Sequence, residues 1–313
     1  MADPNIEQGL LVQLGRDWLD ERRRARRWSV FFKLIMLVLL MPLFVLLWGL
    51  VTAKERVCLD KCTALVEVRG ELEAGGRASA DHVISGLQAA YKNVGTRGVV
   101  LRVNSPGGSA VQAGQIYEEV RRLRAQHPDK PLYAVVDEVA ASGGYYVATA
   151  AERIYVDKAS LVGSIGVIMD GFGFVGAMEK LGIERRVLTA GANKALLDPF
   201  SPVDPKQRDA IQANLDEVHQ QFIAAVKEGR GDRLKQTPEV FSGLVWNGKR
   251  AVELGLADGL GTLEGVARDV IKAEEIVDFT PEEGITERVA RRFGATFADA
   301  LNYSLRYGGP ARR

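Results

Sequence analysis

Two short segments of small residues carry the types and spacing of a serine hydrolase site. Ser142 lies within Ala140–Tyr146, and the loop Asn104–Gly108 lies about thirty-five residues earlier. In that loop Pro106 fixes one dihedral angle and two glycines allow a tight turn. Amide N–H groups exposed at such a turn before a helix can hold an oxyanion. We therefore predict a nucleophile and an oxyanion loop, although a helix-capping serine and a plain structural turn are the alternatives.

The proton acceptor for this serine is not an obvious histidine. The chain has three histidines, His82, His127 and His219, and their helical contexts predict ordinary surface positions. A lysine can act instead when burial favours its neutral form. Lys194 has no charged neighbour before Asp198 and is the best candidate. The flanks of the serine lack Gly-x-Ser-x-Gly, which disfavours the α/β-hydrolase fold.

Composition limits the class of protein. The chain has 313 residues, 47% hydrophobic and 26% charged, which is typical of a globular protein. Its formal net charge of +1 argues against nucleic-acid binding, which usually needs a basic domain. We expect no cofactor. We also expect no metal, since Cys58 and Cys62 with no nearby histidine make a poor zinc pattern. These cysteines could pair with each other, pair across subunits, or remain thiols in a linker.

A long apolar segment predicts one membrane span. Residues 34–53 carry no charge and, as a helix, would extend roughly 30 Å, the thickness of a bilayer core. The arginine cluster at 22–27 places the amino terminus in the cytoplasm and the rest outside. A cleaved signal peptide and a buried core helix are the alternatives. We thus expect a cytoplasmic segment 1–33, an anchor 34–53, a linker 54–62 and an extracytoplasmic domain 63–313.

Strand-like and helix-like segments alternate through that domain and predict an α/β fold with parallel pairing. The strands are expected at 64–68, 98–103, 131–136 and 153–156. Helices are expected at 80–91, 110–126, 205–227, 250–256 and 285–306, with a short helix from Ser142 to Ala151. The apolar face of the helix at 205–227 predicts burial of Ile211, Leu215, Val218, Phe222 and Val226.

Four blocks in this order resemble the signal peptide peptidase A family, membrane-anchored serine peptidases of the Clp/crotonase-like superfamily. They are Val103–Gly108, Ala140–Tyr146, Gly163–Val167 and Gly191–Lys194, and the stretch Gly248–Gly259 is similar too. The resemblance covers roughly residues 63–275 and the single amino-terminal anchor. It implies the fold of that superfamily, a superhelix of repeated β-β-α units. Because the chain has one serine motif and one lysine motif, it resembles the short, single-repeat form of the family.

The resemblance also implies roles for individual residues. Ser142 would be the nucleophile and Lys194 the general base of a Ser/Lys dyad, with Ser164 near the lysine. The oxyanion hole would use backbone N–H groups of Gly107, Gly108 and Gly143, with Asn104 as a supporting residue.

The same resemblance implies an assembly and a substrate. The serine and lysine would come from neighbouring protomers of a ring-like homo-oligomer, and the substrates would be peptides, namely cleaved signal peptides. A related peptidase with another membrane-protein or periplasmic substrate, a crotonase-like acyl-thioester protein and a non-catalytic scaffold remain alternatives.

Overall fold

The computed structural model describes residues 27–45, 48, 58 and 60–281. The chain divides into two units, one of residues 1–55 and 285–313 and the other of residues 56–284. In the first unit, helix α1 (Arg27–Val45) is long and apolar enough to cross a membrane, and none of its most apolar stretch is buried. It begins before the predicted span, and residues 46–47 and 49–53 of that span lie outside the described part, as does the helix expected at 285–306.

The second unit is built on one eight-stranded sheet, with strand order β6-β5-β3-β2-β1-β8 and with β4 and β7 branching from β3. Its strands are β1 (Cys62–Arg69), β2 (Thr96–Ser105), β3 (Leu132–Ala141), β4 (Arg153–Val156), β5 (Leu161–Gly163), β6 (Val245–Asn247), β7 (Gly259–Leu260) and β8 (Ile276–Asp278). Every pair is parallel except β5 with β6. The predicted α/β class is confirmed.

Helices connect these strands. They are α2 (Ala80–Lys92), α3 (Ala110–Gln126), α4 (Gly143–Ala148), α5 (Val175–Leu181), α6 (Pro205–Arg230), α7 (Gly248–Leu254) and α8 (Leu263–Gly265), the last continued by a π-helical turn at Val266–Ile271. Two 3₁₀ turns lie at Gly231–Arg233 and Pro238–Phe241. The predicted helix at 110–126 and strand at 153–156 have the expected bounds, and Gly255 ends α7 in the left-handed conformation, as expected.

The core lies on both faces of the sheet, which is why the central strands are almost continuously apolar. On β1, Ala64, Val66 and Val68 pack into the larger core beneath the helices. Leu65 points to the other face and packs in a smaller cluster with Val266. This alternation follows from the two-residue period of a strand.

Strand β3 pairs with two different strands on the same side, so the sheet branches there. Its first part pairs with β4, from Tyr133 to Val136. Its last residues, Val139 to Ala141, pair instead with β5. Ser142 follows Ala141 directly. The pairing of the end of β3 with β5 therefore sets the position of the serine.

Residues 166–204, which we call the arm, contain no buried residue, and all of them are described. Helix α5 lies in the arm, and the helix α6 follows it. Phe174 stacks on Phe200 at 5.4 Å, but both rings remain partly exposed. The apolar face predicted for α6 is buried only at Phe222 and Val226, because the helix lies over the core only in its second half.

The two cysteines form a disulfide between Cys58 and Cys62, which settles the alternatives left open by their spacing. Both are buried, and the backbone N–H of Cys62 donates to the carbonyl of Gly95 at 3.1 Å. The bond therefore joins the segment before the sheet to the first residue of β1.

Candidate active site

The loop after β2 is held from both sides. The N–H of Leu72 donates to the carbonyl of Gly107 at 2.7 Å, and the N–H of Ser109 donates back to the carbonyl of Leu72 at 2.7 Å. Gly107 and Gly108 have φ angles of 107° and 134°, which favour glycine. The side chain of Ser109 then caps α3 by accepting from the N–H of Gln112.

Ser142 follows β3 directly and stands at the N-terminus of α4. Its φ of 52° and ψ of −125° are unusual for a residue with a side chain, and its hydroxyl makes no capping hydrogen bond. Its N–H donates to the carbonyl of Gly163 on β5 at 2.9 Å. The capping alternative is therefore not supported, and the backbone strain marks a candidate functional residue.

Ser142 and the loop after β2 lie close together. A Cβ placed on Gly107 would lie 2.7 Å from Cβ of Ser142 and 2.9 Å from the nitrogen of Gly143. Only a glycine allows this approach, so the tertiary structure explains the first glycine of the pair by packing as well as by φ.

The amides near Ser142 differ in availability. The N–H of Gly107 donates to Oγ of Ser105 at 3.2 Å within a buried turn. Gly108 is exposed, and neither its N–H nor that of Gly143 makes a hydrogen bond with another described residue. The N–H of Gly143 is unpaired because it starts a helix. The free amides therefore belong to Gly108 and Gly143.

Ser164 lies beside Ser142 at the ends of paired strands, since Ala141 and Gly163 are in register. It also has a φ of 52°, and its N–H donates to the carbonyl of Leu244 at 2.7 Å. Asn104 is half-buried on β2, where its carbonyl accepts from the N–H of Gly70 at 2.9 Å.

Ser142 lies in a cleft of about 980 Å³ whose walls come from helices α2, α3 and α6. Apolar side chains of Ile84, Tyr146, Val167 and Phe222 are among those that line it. Burial, followed by the charges of Glu118 and Glu228, raises the pKa of Tyr146, so its phenol stays neutral. A concave cleft of this volume, with part of its lining apolar, is typical of a ligand-binding site.

Lys194 lies elsewhere in the chain. It is exposed in a turn of the arm, its N–H donates to the carbonyl of Gly191 at 3.1 Å, and it does not line the cleft. The side chain of Gln207 on α6 bonds Asn193 in the same turn at 3.4 Å. The burial expected for Lys194 is thus not provided by its own chain.

One histidine makes a long-range contact that its helical context does not predict. His219 is half-buried, and its Nε2 is 3.0 Å from the carbonyl oxygen of Ile165, one residue after Ser164. The expectation of an ordinary solvated position is wrong, because α6 passes over the end of β5 there. No local sequence pattern indicates this long-range contact.

Comparison with known proteins places these residues in a family. The model of peptidase family S49 matches residues 124–277, which include Ser142, Ser164 and Lys194. A Na(+)/H(+) antiporter NhaA of Brucella melitensis is 40% identical over 72% of this chain. The chain spans only 31% of that protein's length.

Two other relatives match a larger share of their own length. A putative protease MJ0651 of Methanocaldococcus jannaschii is 32% identical over 66% of this chain and 67% of its own. A putative signal peptide peptidase SppA of Enterococcus faecium is 30% identical over 67% of this chain and 61% of its own. Among solved structures, a ClpP1 mutant of Listeria monocytogenes aligns with a TM-score of 0.41 and 12% identity, over 64% of this chain and 94% of that one. The chain belongs to peptidase family S49.

Proposed function

We propose that this protein is a membrane-anchored serine endopeptidase that degrades released signal peptides at the outer face of the cytoplasmic membrane. One observation carries the proposal: Ser142, held at a positive φ with its hydroxyl free of capping, borders a cleft beside two unpaired amides. Membership of peptidase family S49 supports the reaction class.

In the proposed reaction, Oγ of Ser142 attacks a peptide carbonyl carbon and its proton passes to the amine of Lys194. The carbonyl oxygen becomes an oxyanion bound by the N–H groups of Gly108 and Gly143. The intermediate then expels the amine product, which takes the proton, and water hydrolyses the acyl-enzyme. We assign Gly107 to holding the loop against Ser142, because its own N–H is already bonded.

We assign Lys194 to the active site of a neighbouring subunit. Within its own chain it is exposed and does not line the cleft. Burial against a second subunit would favour the neutral amine that a general base needs. Exposed apolar side chains on the arm, such as Phe172 and Leu188, which are 79% and 101% exposed, support a contact between copies in a ring-like homo-oligomer.

Helix α1 is the proposed anchor, and the arginine cluster at 22–27 supports an orientation with the catalytic domain outside the cytoplasm. The disulfide between Cys58 and Cys62 fits an oxidising compartment. An anchored peptidase would meet apolar peptides that remain in or near the membrane.

The test combines single variants with co-expression. Ser142→Ala and Lys194→Ala are each expected to reduce hydrolysis of an apolar peptide by at least 1,000-fold, roughly the scale of losing a nucleophile or base. Co-expression of the two variants should restore part of the activity, because one subunit then supplies the serine and its neighbour the lysine. Lys92→Ala, at an exposed lysine on α2 outside the arm, is the matched control and should keep full activity.

Each other outcome has a definite meaning. Activity in Lys194→Ala would refute the lysine as base, and failure of co-expression to restore activity would place both residues in one chain. Faster cleavage of an unfolded periplasmic protein than of a signal peptide would favour the related-peptidase alternative. Thioester binding without reaction toward a fluorophosphonate would favour a crotonase-like protein.

A further inference from the structure

The backbone of Ser142 needs support from outside its own helix. Its positive φ is a sparsely populated conformation for a residue with a side chain, and it persists only where the surroundings enforce it. Helix α4 has six residues, too few to be stable alone. The contacts that fix α4 therefore decide where the serine hydroxyl and the N–H of Gly143 point.

The side chain of Tyr145 joins α4 to a distant part of the chain. It lies three residues after Ser142, is fully buried, and its hydroxyl donates to the carbonyl of Leu256 at 2.8 Å. Tyr146, the next residue, lines the cleft, whereas Tyr145 does not. The hydroxyl of Tyr145 thus bonds the scaffold and is not available to a substrate.

The acceptor is itself fixed to the sheet. Arg230, only 1% exposed, donates from Nε to the carbonyl of Gly255 at 2.8 Å and from Nη1 to the carboxylate of Asp258 at 2.7 Å. The backbone of Asp258 donates to the carbonyl of Ile154 on β4 at 2.7 Å, and its carboxylate accepts from the N–H of Ile154 at 2.7 Å. Leu256 lies between these two anchored residues.

We propose that Tyr145 is a positioning residue for the nucleophile. Through its hydrogen bond to Leu256 it fixes α4 to a segment that Arg230 and Asp258 hold against the sheet, and so keeps Ser142 and the N–H of Gly143 aligned with the loop at Gly107. This inference rests on the proposed role of Ser142 as nucleophile.

The chain offers a closely matched pair of substitutions. Tyr145→Phe removes only the hydroxyl and leaves the ring to fill the core. Tyr91→Phe makes the same change at a residue that is also buried, but whose hydroxyl has no hydrogen-bond partner among the described residues. Any effect of losing a buried hydroxyl as such will appear in both variants.

The experiment measures acylation of the purified full-length protein by a fluorophosphonate, with kcat and KM for an apolar peptide, well below the melting temperature. Tyr145→Phe should slow acylation and reduce kcat by about 10- to 100-fold, since misplacement by about 1 Å can cost that much. Its KM should stay within twofold, and Tyr91→Phe should match the parent protein. Arg230→Lys, which keeps the charge but loses the paired hydrogen bonds, should lower kcat in the same way.

A purely structural role gives a different result. If Tyr145→Phe lowers only the melting temperature and acylates at the parent rate, the proposal is wrong. If Tyr145→Phe does not fold, parent-like acylation of Arg230→Lys overturns it equally. Failure of the proposed function is recognised separately, because the parent protein would then react with the fluorophosphonate no faster than Ser142→Ala.

Discussion

Ser142 and Gly107 lie so close that a Cβ added to Gly107 would be 2.7 Å from Cβ of Ser142, so the serine and the loop after β2 share one packing arrangement. The sequence predicts both residues from their small neighbours and from the family resemblance. It does not distinguish their backbone amides. In the structure the N–H of Gly107 is bonded to Ser105, whereas the N–H groups of Gly108 and Gly143 have no partner among the described residues.

This contact predicts the effect of one methyl group. Gly107→Ala would place a Cβ 2.7 Å from Cβ of Ser142, at a φ of 107° that disfavours side chains. We expect at least a 100-fold slower acylation and a loss of about 1–3 kcal/mol in the free energy of unfolding. Fluorophosphonate labelling and urea unfolding measure the two effects.

Gly265→Ala is the control for that change. Gly265 has helical angles, and an added Cβ would meet Oγ1 of Thr262 at 3.4 Å, an ordinary contact. Parent-like labelling and stability are expected there. Normal acylation of Gly107→Ala would show that the loop can move away from Ser142 without loss.

At the scale of elements, β4, α6 and the turn after α7 meet at Asp258. Burial alone would raise the pKa of Asp258, but the hydrogen bond and charge of Arg230 outweigh it. The N–H of Ile154 and the charge of Arg233 act in the same direction. The pKa of Asp258 therefore lies below its ordinary value of 3.8.

The sign of this shift gives a pH dependence. Because the pKa is lower in the folded state, the stabilisation is complete above about pH 3.8 and is lost as the pH falls through the folded-state pKa. Asp258→Asn should reduce the free energy of unfolding by about 3–5 kcal/mol at pH 7, since it leaves Arg230 buried without its partner's charge. Urea unfolding from pH 7 to 2.5 should show the difference shrinking only below pH 3.8.

Asp209→Asn is the matched control on α6. Asp209 pairs with Arg208 at the surface, where both side chains are 70% exposed, and such pairs contribute little. It should match the parent protein at every pH. A difference for Asp258→Asn that is constant down to pH 2.5 would contradict the lowered pKa.

The bounds of most helices and strands can be predicted from the local sequence, but the contacts between these elements cannot. Helix α3 and strand β4 have the predicted bounds because apolar periodicity and caps define them. Strand β3 extends five residues beyond its predicted end at Val136, to Ala141, since its last part pairs with β5 across the chain. The neighbouring tyrosines Tyr145 and Tyr146 look equivalent in sequence, yet one bonds Leu256 and the other lines the cleft.

At the scale of the molecule, the arm leaves apolar side chains in water that one chain does not cover. Leu188 is 101% exposed and Leu181 is 72% exposed. Such exposure over residues 166–204 is costly in a monomer, which supports the proposed association of copies. Lys194 lies in the same arm, so assembly and catalysis would depend on the same surface.

A charge on the arm tests this association. Leu188→Glu should convert the proposed oligomer to monomers and remove the proposed peptide hydrolysis. The unfolding of the isolated subunit should stay unchanged, because the side chain is fully exposed within it. Val94→Glu, at a 92% exposed valine before β2, is the control and should leave assembly and activity intact. Light scattering after size-exclusion chromatography measures the mass, and an active oligomer of Leu188→Glu would exclude the arm from the interface.

The sequence by itself determined the α/β class, the apolar amino-terminal helix, the serine and the glycine loop, because periodicity, charge and turn residues act locally. Only the tertiary structure decided which amides are free, that Cys58 bonds Cys62, and that Tyr145 is tied to Leu256. It also decided that Lys194 is exposed within its own chain. These properties depend on contacts formed in the folded chain, and local sequence patterns do not predict such contacts.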